Sequence, residues 1–385
     1  MRARTILFLG NFFTALTMNL VSYTFVSYLL GFIPQAAVGF AIALGGLIAT
    51  VLFLFLPRFV RRYGAQRLAL AATFVSMLLV FAAAAAPQTI ASMIFIVLVA
   101  SFQPFVYYGL DLLLEATVDR EGTTGRVRTM FLNGGNLGIL LAPLLIGTLL
   151  ARTDSYTLVF FAAGAALMPF LVLFGLRDLP KGGAPTKEEL RASVSCIRCD
   201  RDLLAATVGH LILYLFYIWA PFYIPVYLHG VLGIPWSELG WMFSVMLVPY
   251  LLIEYPAGWL ADKFLGDKEL MFAGFLVMGT ALGSVGFLSA DSPAWAVVGV
   301  LLATRAGAAL VESMTEGHFF RRVSEKDVTS VSIFRGVWPI ANVIAPIVPA
   351  VIVGVTGSYP IFFFVVGTFI LLSGVVITFA IRDFR

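Results

Sequence analysis

Twelve stretches of this sequence are long and apolar enough to cross a bilayer as helices. They run over 5–30, 36–57, 68–86, 89–117, 129–151, 157–176, 203–227, 238–258, 269–289, 294–318, 332–355 and 359–381. About 20 residues suffice for one helical crossing. In hydrocarbon every backbone N–H and C=O must be satisfied within its own segment, so such stretches fold as helices. Of the 385 residues, 60% are hydrophobic and 12% charged, against roughly a quarter charged in a soluble domain. The expected class is an all-α polytopic membrane protein with twelve transmembrane helices. The opening run "TILFLGNFFTALTMNLVSYTFVSYLLGF" is too long for a signal-peptide core and lacks a small-residue cleavage site, so it reads as the first span.

The basic residues orient this array. With the N-terminus inside, Arg58, Arg61, Arg62 and Arg67 share one cytoplasmic loop, and Arg120, Arg126 and Arg128 the next. Arg177, Lys181, Lys187, Arg191, Arg198 and Arg201 lie between the sixth and seventh spans. Lys263 and Lys268, then Arg321, Arg322, Lys326 and Arg335, follow on the same side. Only Arg152 falls outside, and Arg305 lies within a span. Cytoplasmic loops carry the Lys and Arg excess, so both termini are expected inside a plasma membrane, the inner one of a bacterium. The same residues build no basic groove with interleaved aromatics, which argues against a nucleic-acid partner. The expected partners are the lipid bilayer and a small-molecule substrate, with the chain a monomer.

The polar run "RDLPKGGAPTKEELRASVSCIRCDRD" divides the spans six and six. The expected organisation is an N-terminal bundle over 1–178, a linker over 179–202 and a C-terminal bundle over 203–385. "TKEELRASVSCIR" fits a short interfacial helix with Thr186 as N-cap and Glu189 as its capping-box partner. Cys196 and Cys199 have no second pair and face a reducing compartment, so they read as free thiols. The sequence carries no phosphate-binding loop, dinucleotide turn or nucleophile elbow. No enzyme activity, no metal and no cofactor is expected.

The halves repeat. Asp111 and Glu115 stand four residues apart in the fourth span, and Glu312 and Glu316 repeat them in the tenth, 201 residues later. "PRFVRRYGAQR" after the second span is echoed by "GWLADKFLGDK" after the eighth at nearly the same offset. "GILLAP" (Gly138 to Pro143) is echoed by "ANVIAP" (Ala341 to Pro346). Internal repeats of this kind mark secondary transporters.

On these features the chain resembles the major facilitator superfamily over essentially its whole length. The family's loop motif, G-x-x-x-D-R-x-G-R-K, appears after the eighth span as Gly258, Asp262, Lys263 and Gly266, with one extra residue before the second Gly. In the first copy Pro57 replaces the Gly and Arg61 the Asp, while Arg62 and Gly64 survive. The family's helix-five pattern, G-x-x-x-G-P, appears as Gly138, Ala142 and Pro143; there it leans towards antiporters. The resemblance implies two six-helix bundles related by a pseudo-two-fold axis and rocking about a central site. It also implies that the motif Asp latches the outward-facing state against a helix N-terminus. Arg61 reverses that charge, which leaves the latch with Asp262.

The resemblance further implies that spans one, four, seven and ten line the cavity, and these hold most intramembrane polar groups. Span one offers Asn11, Asn19 and Tyr23. Span four offers Gln103, Tyr107, Tyr108, Asp111 and Glu115, and span seven His210, Tyr214 and Tyr217 on one face. Span ten offers Arg305, Glu312 and Glu316; Trp338 and Asn342 lie in span eleven. Ionisable groups in a membrane face the bundle interior or water. Arg305 lies about 11 residues into its span, near mid-membrane at about 1.5 Å per residue. It either steadies an acid or binds an anionic or carbonyl-bearing substrate with its fork of donors. Asp111 and Glu312 either exchange protons with whichever side they face or form static ion pairs. Glu115 and Glu316 lie nearer the cytoplasm and read as gate residues, with Arg120, Arg126, Arg128, Arg322 and Arg335 as partners. His210 reads as packing more readily than as a proton relay, and Glu254 as support for its loop. Gly134 and Gly135 read as helix packing. The tyrosines, with Trp219, Trp241 and Trp338, serve equally as stacking surfaces, core or interfacial anchors.

The expected function is alternating-access transport, coupled to H⁺ and exporting a small organic or amphipathic compound. A proton-linked importer or uniporter of a polar solute such as a sugar is the alternative. A sensor or partner subunit with the fold but no transport is the alternative of another class.

Overall fold

The computed structural model describes residues 3–53, 55–87, 89–117, 124–151, 153, 155–179, 197, 200–323, 333–334 and 336–381. Side chains are described in these ranges except at 53, 124–129, 254, 255 and 262. The twelve expected spans form: α1 Ala3–Leu29, α2 Gln35–Leu52, α3 Ala65–Ala85, α4 Ile90–Glu115, α5 Met130–Leu150, α6 Thr157–Gly175, α7 Arg201–Val231, α8 Trp236–Ala261, α9 Asp267–Val285, α10 Ala294–Arg322, α11 Val337–Thr356 and α12 Tyr359–Ala380. The described residues are helical, with no strand among them. Thr186, Glu189, Cys196 and Cys199 fall outside the described residues; within the proposed interfacial helix, Ile197 is described and is helical.

The chain divides into two units. One takes in Met1–Ala184 with Leu228–Gly230 and Ile234–Ser244; the other takes in Pro185–Tyr227, Val231–Gly233 and Val245–Arg385. The sequence repeat reappears as a repeat of neighbours. In the first unit α1 packs on α4, α5 and α6, α3 on α4 and α6, and α2 on α4. In the second, α7 packs on α10, α11 and α12, α9 on α10 and α12, and α8 on α10. Each relation in one bundle has its counterpart six helices later.

Small residues bring these helices together, as expected where lipid supplies no hydrophobic force between them. A side chain at Gly138 of α5 would strike the Leu16 N–H of α1 at 2.8 Å, and one at Gly135 would meet the Asn11 amide at 2.8 Å. The glycine pair thus serves packing, as its position predicted. Asn11 in turn donates to the Phe131 carbonyl at 2.8 Å.

Proline breaks are repaired from neighbouring helices. Pro349 has no N–H to offer the Ala345 carbonyl one turn back, and the Trp219 indole N–H of α7 donates to it at 2.8 Å. Helix α11 is accordingly interrupted between Ile344 and Ile347. In the first unit Ser244 Oγ donates to the Leu140 carbonyl at 2.9 Å, within the turn before Pro143. Gln66 closes the end of α6. Its amide donates to the carbonyls of Phe174 and Arg177, at 2.7 Å and 2.6 Å, and its carbonyl oxygen accepts the Leu179 N–H at 3.0 Å.

The two copies of the loop motif turn differently. Gly64 has φ +88°, a conformation that favours glycine, and joins the short helix Leu56–Tyr63 to α3. Gly266 is extended, with φ −169°, and precedes α9 as its N-cap residue. The residue inserted in the second copy therefore coincides with a different turn, which any side chain could adopt.

Candidate functional site

In the first bundle the polar groups of α1 are largely absorbed by packing. Asn19 donates to the Ala15 carbonyl of its own helix at 2.8 Å. Tyr23 is buried and stacks on Phe243 at 5.4 Å. Gln103 is buried in α4. Lower on α4, Tyr107 lies in the field of Asp111, one turn away. Tyr108 lies in the fields of Glu115, Arg61 and Asp111 together. The arginine that departs from the loop motif thus shares Tyr108 as a neighbour with the two acids of α4.

This gives Arg61 a reason. Arg61→Asp would replace the one positive influence on Tyr108 by a third negative one, alongside Asp111 and Glu115. It is expected to lower stability by about 1 kcal/mol, the upper range for exposed pairs, while Arg61→Lys is close to neutral. Thermal unfolding of the purified variants checks this, and an Arg61→Asp protein as stable as the wild type would count against it. The other motif residues stand at the surface. Arg62 lies over the Tyr63 ring at 5.2 Å, and Lys263 over Trp259 at 5.0 Å. Gly258 borders open space. The side chains of Asp262, Glu254, Arg126 and Arg128, with Arg120 and Arg335 entire, lie outside the described residues.

In the second bundle the predicted face of α7 is assembled as expected. His210, Tyr214 and Tyr217 follow one another along it, with ring separations of 4.4 Å and 6.3 Å. His210 is buried and stacks on Phe334 at 4.2 Å, which agrees with a packing role. Trp338 meets Tyr214 edge-on at 5.0 Å, and Tyr250 approaches Tyr217 at 6.2 Å. Asn342 donates to the Trp338 carbonyl of its own helix at 3.0 Å. Trp241 is exposed at 42%, as an interfacial or lipid-facing anchor would be.

Tyr217 and Glu312 form the central contact. The Tyr217 hydroxyl donates to Glu312 Oε2 at 2.5 Å, joining α7 to α10. Tyr214, Tyr217, Glu312 and Trp338 are all half-buried. Glu312 therefore sits on a partly open aromatic wall, where it is held by a neutral donor.

Arg305, about two turns away on α10, is 3% exposed. Its guanidinium carbon stands 5.0 Å from the centroid of the Phe216 ring. Its Nε is buried with no hydrogen-bond partner, and no described carboxylate pairs with it. Of the two alternatives for Arg305, a pairing with Glu312 or Asp111 is not found among the described ion pairs. A guanidinium cannot shed its proton in a protein, and an uncompensated interior charge costs several kcal/mol. The aromatic face returns about 2 kcal/mol at most sites of this kind. Phe216 gave no signal in the sequence, because it is one apolar residue among many on α7.

The ends of α7, α9 and α10 hold an ion-pair cluster that sequence reasoning missed. Arg322 bonds Asp202 at 2.6 Å and Asp200 at 3.2 Å. Arg321 pairs with Asp267, and His318 Nδ1 lies 3.3 Å from the same carboxylate. Asp200 also caps α7, accepting from the N–H groups of Asp202 at 2.8 Å and Leu203 at 3.2 Å. The available signal was the pair of aspartates just before an apolar run, an N-cap signature.

Burial raises the Asp200 carboxyl, but the Leu203 and Asp202 N–H groups and Arg322 outweigh it, and the net is a lowered value. Stability from such a group is fully present above the ordinary carboxylate range, near pH 4. It is lost as the pH falls through the lowered folded-state value. From about pH 7 to about pH 3, the unfolding midpoint of the wild type is expected to fall further than that of Asp200→Asn. Equal falls would argue against this assignment.

No curated protein matches the chain. The family model described as Major Facilitator Superfamily matches residues 7–240 and again residues 222–384. That match agrees with the twelve spans and the repeated pattern of neighbours. The chain therefore belongs to the major facilitator superfamily and is a multi-pass membrane protein of the secondary-transporter class.

Proposed function

We propose that this transporter is a proton-coupled antiporter that exports small organic or amphipathic compounds across the bacterial inner membrane, with both termini in the cytoplasm. The observation that carries the proposal is the Tyr217–Glu312 bond on a half-buried aromatic wall. A carboxylate that accepts a bond from a neutral hydroxyl on a half-buried wall is placed to change protonation as its exposure to water changes. Asp111 holds the matching place on α4, with Tyr107 one turn away. Glu115 and Glu316, one turn further along, serve the cytoplasmic gate with basic residues of the loops. The aromatic wall of Tyr214, Tyr217 and Trp338 offers faces on which an organic solute stacks. Export is favoured by the Gly138, Ala142 and Pro143 pattern of α5.

The test has two stages. A thermal-shift screen of the purified protein over solute classes, at two pH values, selects a solute that binds. Flux of that solute is then followed in proteoliposomes with and without a pH gradient. A gradient of either sign should drive movement of the solute. A protein that binds solutes but moves none would instead be a sensor built on the transporter fold.

A further inference from the structure

The buried guanidinium of Arg305 has no use in the account so far. It is permanently charged, 3% exposed and stacked on Phe216. It forms none of the ion pairs found among the described residues, and its buried Nε has no hydrogen-bond partner. Glu312, the nearest acid on its own helix, is about 10 Å along the axis and is bonded to Tyr217. A planar fork of five donors is the group best matched to a carboxylate.

We infer that Arg305 is an anion anchor, and that the substrates of this transporter are organic acids. Their carboxylate bonds the guanidinium edge left open by Phe216, and their apolar part lies towards Tyr217 and Tyr214. The assignment of these acids as transported substrates rests on the transport reading above; their binding does not. The charge-pairing argument is local to α7 and α10. Phe216 covers one face of the guanidinium and leaves its N–H edge as the bonding surface. A neutral carbonyl would leave the charge uncompensated, so the anionic form is selected over the amide.

The binding test uses the full chain in a neutral maltoside detergent free of anionic lipid, at low salt. The probes are benzoate and 2-naphthoate, each against its primary amide, with chloride as a further arm. The carboxylates are expected to raise the unfolding midpoint in a concentration-dependent way, the naphthoate more than the benzoate, and the amides and chloride far less. Arg305→Met should weaken naphthoate binding at least about tenfold, a difference of about 1.4 kcal/mol. Without ligand it should unfold no lower than the wild type, because it removes an uncompensated charge.

Equal protection by amides or by chloride overturns the inference, as does no protection by any carboxylate. Unchanged naphthoate affinity in Arg305→Met also overturns it. A ligand-free Arg305→Met that unfolds several degrees lower, or fails to fold, assigns Arg305 a structural role and overturns it too. Flux is measured separately with 2-naphthalenesulfonate, a permanent anion that cannot cross lipid as a neutral acid. Arg305-dependent carboxylate binding without sulfonate flux upholds the anchor and removes the transport reading. Flux of neutral compounds with no carboxylate preference removes the anchor alone.

Discussion

Glu312→Gln is expected to abolish pH-driven transport while leaving substrate binding and solute-for-solute exchange in place. The reason lies in one contact. Glu312 accepts the Tyr217 hydroxyl at 2.5 Å on a half-buried wall, so glutamine keeps the size and a hydrogen-bond acceptor but loses the proton site. Asp111→Asn, its counterpart 201 residues earlier, is expected to act in the same direction. Accumulation driven by the gradient should fall to the level of protein-free vesicles, and counterflow at equal pH should persist. Full pH-driven accumulation in both variants would end the proton-carrier assignment. Loss of counterflow as well would show that the carboxylates bind substrate instead.

The second large effect is on stability. Arg322→Met would strip the partner from Asp202, whose side chain is 3% exposed and bonded at 2.6 Å. Breaking a buried pair from one side costs about 3–5 kcal/mol, because the remaining buried charge loses its strongest bond with little water to replace it. The double variant Arg322→Met with Asp202→Leu should recover much of that loss, since the acid left behind, Asp200, is more exposed and keeps its backbone N–H donors. Thermal unfolding of the three proteins checks it. A single variant as stable as the wild type would show that Asp202 finds another partner at no cost.

The sequence was most informative where the physics is one-dimensional. Length and hydropathy located all twelve helices to within a few residues, because lipid leaves the backbone no other choice. The 201-residue offset foretold a repeat in packing, and α3 against α4 and α9 against α10 meet that expectation. The face of His210, Tyr214 and Tyr217 followed from helical spacing alone. Pairings between helices remote in sequence were not legible. Arg322 read as a topology marker and a partner for the gate acids, and Asp200 and Asp202 as linker charges, yet together they tie α10 to α7. Arg61 read as a damaged motif, yet its charge acts on Tyr108 together with those of the α4 acids. Arg305 was recognised as a charge within a span, but that it pairs with no described carboxylate required coordinates. Its stacking on Phe216 was invisible, since no period marks one phenylalanine on a helix rich in them.

The proposed mechanism draws on two features of the fold. Two bundles with the same internal neighbours each carry a carboxylate at the same register. One of those carboxylates is held by a tyrosine on an aromatic wall, about two turns from an uncompensated arginine. In the proposed mechanism Glu312 takes the proton and Arg305 the charge of the solute, with Tyr217 between them. The most direct test is to record solute and proton movement in the same proteoliposomes, using the solute selected by the thermal-shift screen and a pH-sensitive dye inside. Each solute leaving should be accompanied by proton entry, and Glu312→Gln should uncouple the two. Solute flux at the full rate with no proton movement would contradict the account.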